Sequence, residues 1–539
     1  MRISSSMSLA ACLSLFACTP QGRPGTVVPT GNGDTAGDGG AGGSIDPTKP
    51  NNNSTDPVTC DQAASQRSYI GCDYWPTVVA NGVDPIFDYA VVVANNGAVD
   101  ADIQVTGPGG VQRTASVAPN ELTKIYLPWV LDLKGGNISA FDFVPMTATV
   151  RKAGGAYHLV STAPVTVYQF NALEYKGQGG PSGKDWSQCQ DTTGLGMGCY
   201  SYTNDASLLL PSTAMTGNYR VAGIHAWQQL SGYVAITGTQ NGTTVTFKVS
   251  QSGEILAGGG LAATKAGGTV SFNVDQGEVV EILGGTADTS DLSGSVIQAT
   301  APIQVITGHP CMNNPADAPA CDHVEETVFP AETLGKHYIV TVPTGPNGTP
   351  VGHTVRFYGN VDGTNLTYHP TIAGAPDTLN AGEVVEISQL STDFEVTGDH
   401  EFIIGSFQLG GTLVDPMGAL SLNFSQGDPA ESFAVSAEQF RSSYVFLAPD
   451  DYSESYVDIA VPAGATVTVD GTTASKAASP ISGSTFGVLR LKLGAGVSGA
   501  HVLTATAPVG IQVMGYGDYT SYQYPGGLDL QAIAPPPIF

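Results

Sequence analysis

Four times along this chain a short turn-bearing opening leads into a β-rich run and then a similar closing strand, and this repetition constrains the fold more than any single motif does. The openings span Trp75 to Ala80, Leu210 to Val221, Phe329 to Val340 and Val435 to Phe446. Strand-like runs beside a turn follow the last three, at Asn241 to Phe247, His353 to Asn360 and Ala465 to Gly471. In the first of these, Val245, Phe247 and Val249 alternate with Thr246, Lys248 and Ser250, the period of a sheet with one buried face. The sequence Gly-Glu-Val-Val-Glu-Ile occurs at Gly277 to Ile282 and again at Gly382 to Ile387. Three closing strands begin Thr-Ala-Pro, at Thr162, Thr300 and Thr506, and the third repeat has Gly398-Asp399-His400-Glu401 in that place. A proline at the start of a strand is tolerated because its missing N–H falls outside the ladder.

Pro164 and Pro302 stand 138 residues apart, and Pro302 and Pro508 stand 206 apart across two repeats. The unit is therefore about 115 residues, the size of a β-sandwich of some seven strands, and too long for a propeller blade of about 40–50 residues. The expected fold class is all-β: tandem β-sandwich-like units joined by short disulfide-braced linkers, after a disordered N-terminal tether. The units are placed at 60–188, 189–310, 311–424 and 425–539. Composition agrees, since Gly accounts for 68 of 539 residues and only 12% are charged, while long helical periodicities are absent.

Met1 to Cys18 reads as a signal peptide: one Arg, an apolar run too short to span a bilayer, and a small residue before Cys. Leu15-Phe16-Ala17-Cys18 resembles the bacterial lipobox, which implies cleavage before Cys18 and lipid attachment to its thiol; an ordinary secretory signal is the alternative. Thr19 after the cysteine then implies export to the outer membrane or cell surface. Residues 19–59 are rich in Gly, Pro, Asn, Asp, Ser and Thr and cannot bury enough apolar surface to offset their ordering entropy. As a coil their ends would lie about 35 Å apart. No later segment approaches the length of a membrane-spanning apolar run, so the lipid is the expected membrane contact.

The net charge of −27, from 20 basic and 47 acidic residues, repels phosphate backbones and anionic headgroups and argues against nucleic acid as a partner. Of eight Cys, Cys12 leaves with the signal and Cys18 takes the lipid. The other six fall into sequential couples, Cys60/Cys72, Cys189/Cys199 and Cys311/Cys321, separated by 12, 10 and 10 residues. In an exported protein nearest-neighbour disulfides are the economical pairing, each closing a loop that contributes on the order of 2–3 kcal/mol. His309, Cys311, Cys321 and His323 also form a mirrored set that two strands could converge into a tetrahedral zinc site. The Cys189/Cys199 couple shares the spacing without any His, so what repeats is the cysteine pair, and no metal ligand or cofactor is assigned.

Ser425 to Glu431, the following Val435 to Pro449, and the Gly308 to Glu326 stretch with its two Cys and two His resemble the IgGFc-binding protein N-terminal family, whose bacterial members are commonly lipoproteins. The resemblance covers most of the chain after the tether and implies an extracellular, non-enzymatic β-rich module that binds proteins or glycans. It carries over no binding residue.

Catalytic signatures of zinc proteases, serine hydrolases and nucleotide-binding loops are absent from the sequence. Gly194 to Gly198 is glycine-rich but lies between two cysteines with no helix to follow. Asp428-Pro429 reads as a turn. Asp-rich turns at Val361 to Asn365 and Asp288 to Leu292 lack the full alternation of a calcium loop. His225 and His337 read as sheet residues satisfied by neighbours, and the four Trp are too dispersed to declare a sugar platform. The expectation is a lipid-anchored surface module binding an unknown extracellular protein or glycan, with no catalytic residues. The alternatives are a metal-dependent hydrolase centred on His309 and His323, and a structural envelope component without a discrete ligand.

Overall fold

The computed structural model describes residues 56–537 apart from 138–143, 190, 193–197, 421–424, 495 and 497–498. The signal peptide, Cys18 and nearly all of the tether lie outside the described residues. The chain is all-β, and its order repeats.

The first repeat shows the plan. A short helix, α1 (Cys60–Gln66), is capped by the Thr59 hydroxyl on the Gln62 N–H. Strands β1 (Gly71–Tyr74), β2 (Tyr89–Ala94), β3 (Ala101–Gly107), β4 (Val111–Val117) and β5 (Leu122–Leu127) follow. After them come β6 (Val150–Lys152), the closing strand β7 (His158–Asn171) and a last strand, β8 (Asp205–Leu209). β7 is 14 residues long and serves two sheets: its first half pairs with β1 and β3, its second with β2 and β8. The fourth repeat has the same build around an 18-residue closing strand, Ala500–Gly517. In the second and third repeats this strand is broken in two, at Val296–Ala299 with Ile303–Met312 and at Phe394–Gly398 with Phe402–Gln408.

Two hydrogen-bond devices explain the repeated sequence. In every repeat a buried Tyr of the opening strand accepts the N–H three residues before it and donates to the carbonyl of the residue at the kink of the closing strand. Tyr74 takes Gly71 N and gives to Val165 O (2.9 and 2.5 Å), and Tyr219 takes Thr216 N and gives to Ile303 O (3.4 and 2.7 Å). Tyr338 takes Gly335 N and gives to Phe402 O (3.3 and 2.6 Å), and Tyr444 takes Arg441 N and gives to Val509 O (2.9 and 2.5 Å). Three of those carbonyls follow the Pro of Thr-Ala-Pro, and each bond is of the kind worth about 0.5–1.5 kcal/mol. The Thr supplies the second device. The hydroxyls of Thr162, Thr300 and Thr506 accept the N–H of Asp102, Thr244 and Thr466, each at 2.9 Å. Asp399 does the same for Asn365 at 2.8 Å in the third repeat. The departure from Thr-Ala-Pro there keeps the acceptor.

The repeats share their core. One buried cluster runs from Tyr69 and Ile70 through Ile236, Ile339 and Ile459 to Tyr524, so apolar surface from all four is continuous. β6 of the first repeat also extends the second repeat's sheet by pairing with Val279–Leu283. Three disulfides join Cys60–Cys72, Cys189–Cys199 and Cys311–Cys321, with Cα atoms 5.7, 5.2 and 5.1 Å apart. The last two couples brace the connection from a closing strand to the strand after it; by pairing, β8, Asp322–Thr327 and Glu431–Phe433 go with the first three repeats, so each of these runs on past the unit ends expected at 188, 310 and 424.

Candidate functional site

The last strand of each repeat points to one place. β8, Asp322–Thr327, Glu431–Phe433 and Thr520–Pro525 each pair on one side with the closing strand of their own repeat. Their other edges would present unpaired backbone N–H groups, a liability unless something covers them. Here short side chains do so. Thr203 Oγ1, Asp205 Oδ2 and Ser207 Oγ accept the N–H of His323, Glu325 and Thr327 at 2.9, 3.1 and 2.9 Å. Residues two apart along an extended chain lie on one face, so alternate side chains of one strand take the place of a backbone ladder to the next.

Asp205 holds all four strands. Its Oδ1 accepts Ala206 N at 2.9 Å and Gln523 N at 3.2 Å; its Oδ2 accepts Glu431 N at 2.8 Å and Glu325 N at 3.1 Å. The four amides occupy matching places, opposite Phe170, Met514, Phe407 and Gly308 on their closing strands. Asp205 is fully buried. Burial pushes its carboxyl well above the usual range, against the downward pull of the Glu431, Ala206 and Glu325 amides.

Around this hub lie the residues of the His/Cys stretch. Cys311 and Cys321 are joined to each other, so neither thiol is available to a metal, and the Cys₂His₂ alternative loses half its ligand set. His309 and His323 are both 0% exposed. His309 sets Nε2 3.2 Å from Leu230 O and accepts Cys311 N on Nδ1 at 3.2 Å, which fixes a neutral tautomer. His323 stacks on Tyr233 at 6.4 Å between centroids, and neither ring nitrogen has a hydrogen-bond partner among the described residues. Burial drives both histidines down to about 3. Neutral, enclosed imidazoles of this kind serve neither as exposed ligands nor as bases near neutral pH.

Three of the four carboxylates of the stretch, Asp322, Glu325 and Glu326, are equally enclosed, while Asp317 is exposed. Glu325 accepts from Gln169 Nε2 at 3.1 Å and Asn171 Nδ2 at 2.5 Å, and burial raises it to about 8. Glu326 accepts from the Ser207 hydroxyl at 2.9 Å, and burial again raises it. Glu281 accepts the Ala80 N–H at 2.7 Å and is pushed up to about 8. Among the described residues no group of three or more His, Cys, Asp or Glu is arranged to hold a metal ion.

Elsewhere in the chain, Asp428-Pro429, read as a turn, is instead a buried irregular segment entering the Glu431–Phe433 strand. Asp428 N donates to Ser521 Oγ at 3.0 Å and its Oδ1 accepts Gly411 N at 3.3 Å. Pro429 is tolerated there because it precedes the ladder. In the Asp-rich turns, the exposed Asp288 and Asp362 accept the Gln228 and Ala381 N–H groups, each at 2.9 Å, and the buried Asp291 is paired with Arg356 at 2.5 Å. His337 lies on its strand 2.6 Å from Glu395, whereas His225 sits in a loop with Nδ1 2.8 Å from Ala226 O. Trp129 and Trp186 meet in one small cluster with Phe87 and the Cys189–Cys199 bridge, while Trp75 stacks on His158 at 4.2 Å. Gly194–Met197 lies outside the described residues.

A family model described as IgGFc binding protein matches residues 205–515, more than half of the sequence. The chain belongs to the IgGFc-binding protein family. The match opens on the hub residue Asp205 and ends within the fourth closing strand, so it takes in the Cys311–Cys321 bridge and two of the Thr-Ala-Pro strands. A stretch of 97 residues is 35% identical to the human IgGFc-binding protein. That stretch is 18% of this chain and 2% of the human protein, so the chain spans a small fraction of that relative. A solved tetra-tandem repeat from the extending region of a large adhesion protein aligns over 84% of this chain and 99% of that one, at 13% identity and a TM-score of 0.08. A score that low carries no statement about fold.

Proposed function

We propose that the chain is a non-enzymatic, extracytoplasmic module that binds or adheres to an extracellular protein or glycan, held at the outer membrane or cell surface by lipid on Cys18. Family membership across residues 205–515 carries the reading. The geometry supports it from the other side: His309, His323, Glu325 and Glu326 are buried, and the side chain of Asp205 ties the strands around them together. A rigid body with its polar chemistry inside leaves recognition to the outer loops and grooves. The lipobox-like Leu15-Phe16-Ala17-Cys18 supports a lipid on Cys18 as the attachment, and no helix among the described residues is long and apolar enough to cross a membrane.

Two measurements test the reading separately. Purified protein immobilised on a sensor is expected to bind saturably to at least one of antibody Fc, gel-forming mucin or purified cell-surface polysaccharide. Flat responses to all of them at micromolar concentration contradict the binding role. Cys18→Ala is expected to move the protein from the membrane pellet to the soluble fraction; unchanged fractionation removes the anchor but not the binding module.

A further inference from the structure

The chain carries only 20 Lys and Arg in 539 residues, yet three of them line one groove of about 350 Å³. The groove runs between the loop Thr344–Gly348 of the third repeat and the strands Glu454–Pro462 and Phe486–Lys492 of the fourth. Tyr456 forms part of its wall, 4% exposed, with its hydroxyl fixed on Pro346 O at 3.0 Å. Arg490 is 8% exposed. Its Nη2 holds Val342 O at 3.1 Å and Asp393 Oδ1 at 2.6 Å, but its buried Nε has no hydrogen-bond partner, with Asp458 Oδ2 3.9 Å away.

The nearby carboxylates are already engaged. Asp458 accepts the Thr344 N–H at 2.9 Å and hydroxyl at 2.5 Å, Asp393 accepts Val342 N at 2.8 Å as well as Arg490, and Glu454 pairs with Lys492. Lys476 differs. It is exposed, its ammonium lies 3.5 Å from Arg490 O, and no carboxylate among the described residues is within ion-pair distance. Solvated, loosely paired cations exchange partners at little cost, so Lys476 and the surface pair Lys492–Glu454 are open to an incoming anion.

A second groove, of about 420 Å³, adjoins the first, and Lys476 lines both. Its other walls mix small apolar residues with the hydroxyl-bearing Thr466, Ser484 and Thr485. Together the two offer the volume range of a small-molecule site, repeated once, with a cation at the junction. An extended ligand passing from one to the other would put a negative charge at Lys476 and present hydroxyls to hydroxyl and amide groups on either side.

We propose that these adjoining grooves, joined at Lys476, are a binding site for a carboxylate-bearing glycan. The assignment rests on the reading of the chain as a binding module and names one ligand class for it. Lys476 and Lys492 neutralise the ligand's carboxylates, Arg490 fixes the groove between the third and fourth repeats, and Thr466, Ser484 and Asn347 meet its hydroxyls.

Calorimetric titration of the whole mature protein with tetragalacturonate, its methyl ester and oligoglutamate of the same charge tests the site. Tetragalacturonate is expected to bind at least tenfold more tightly than either control, and more weakly as salt is raised. Lys476→Ala is expected to weaken it fivefold or more at an unchanged melting temperature, since that side chain is exposed and its hydrogen bond to Arg490 O is long, at 3.5 Å. Lys265→Ala, a change at an exposed lysine of the second repeat, is expected to leave binding as it was. No binding at millimolar tetragalacturonate, equal binding of oligoglutamate or ester, or binding untouched by Lys476→Ala each overturns the proposal. If Fc or mucin still binds in those cases, the broader role stands and only this site is lost.

Discussion

Asp205→Ala is expected to destabilise the protein by on the order of 4 kcal/mol or more, because four buried N–H groups lose their acceptor at about 1–3 kcal/mol each. The donors come from all four repeats, through Ala206, Glu325, Glu431 and Gln523, at 2.8 to 3.2 Å. Water admitted to the space offsets part of that loss, which is why the expected figure sits at the low end of the summed range of about 4–12 kcal/mol. Asp205→Asn is expected to fall between the two: one oxygen still accepts, while the amide NH₂ faces donors. Against a typical stability of about 5–15 kcal/mol the alanine change removes a large share. Denaturant titration followed by far-UV circular dichroism gives the result directly. A midpoint for Asp205→Ala within about 0.5 kcal/mol of the parent would show that the carboxylate does not hold the strands.

The second large effect is pH dependence. Burial lifts Glu281 and Glu325 to about 8 and Asp428 to about 7. A carboxyl whose pKa is raised on folding contributes stability that is complete below its unfolded pKa of about 4 and is lost as pH rises through the folded value. His309, His323 and His353 oppose this on the acid side, since burial lowers each to about 3. A base whose pKa is lowered contributes stability above about 6.5 and loses it as pH falls toward the folded value. The melting temperature is therefore expected to peak near pH 5–6, fall by ten degrees or more toward pH 9, and fall again below pH 4. A flat profile from pH 5 to pH 9, or one that rises toward pH 9, would mean that these carboxyls are charged and solvated in the folded protein. Glu325→Gln, which keeps the hydrogen-bonding shape without the charge, is expected to flatten the alkaline limb.

The all-β class and its fourfold repeat were legible because period-two alternation and the Thr-Ala-Pro strands are local signals with local causes. Thr300 caps a neighbouring strand and Pro302 precedes the carbonyl that receives Tyr219, so the same three residues recur at three of the four corners, with Asp399 taking the place of the Thr in the third repeat. The cysteine couples were legible for the same reason: what recurs is a loop closure. The hub was not. Asp205 stands in the sequence as one acid at the head of an apolar run, Ala206 to Leu210, and its partners lie 120, 226 and 318 residues away. Only the charge at the start of a buried strand hinted that something must satisfy it. His309 and His323 show the opposite case, since their ligand-like spacing on two paired strands, which the sequence offered as an alternative, also suits a packed interior. The groove around Lys476 was equally hidden, because its walls come from two repeats and its cations are spread over Lys476, Arg490 and Lys492.

If the four repeats form one cooperative body tied at Asp205, that body presents its grooves as a rigid binding surface. Native-state amide hydrogen exchange at Ala206, Glu325, Glu431 and Gln523 tests that most directly. All four amides are expected to exchange with the same free energy, equal to that of global unfolding, and all four are expected to lose protection together in Asp205→Ala. Exchange of Glu431 or Gln523 through a lower-energy opening, while Ala206 and Glu325 stay protected, would show that the repeats unfold separately and would contradict the hub.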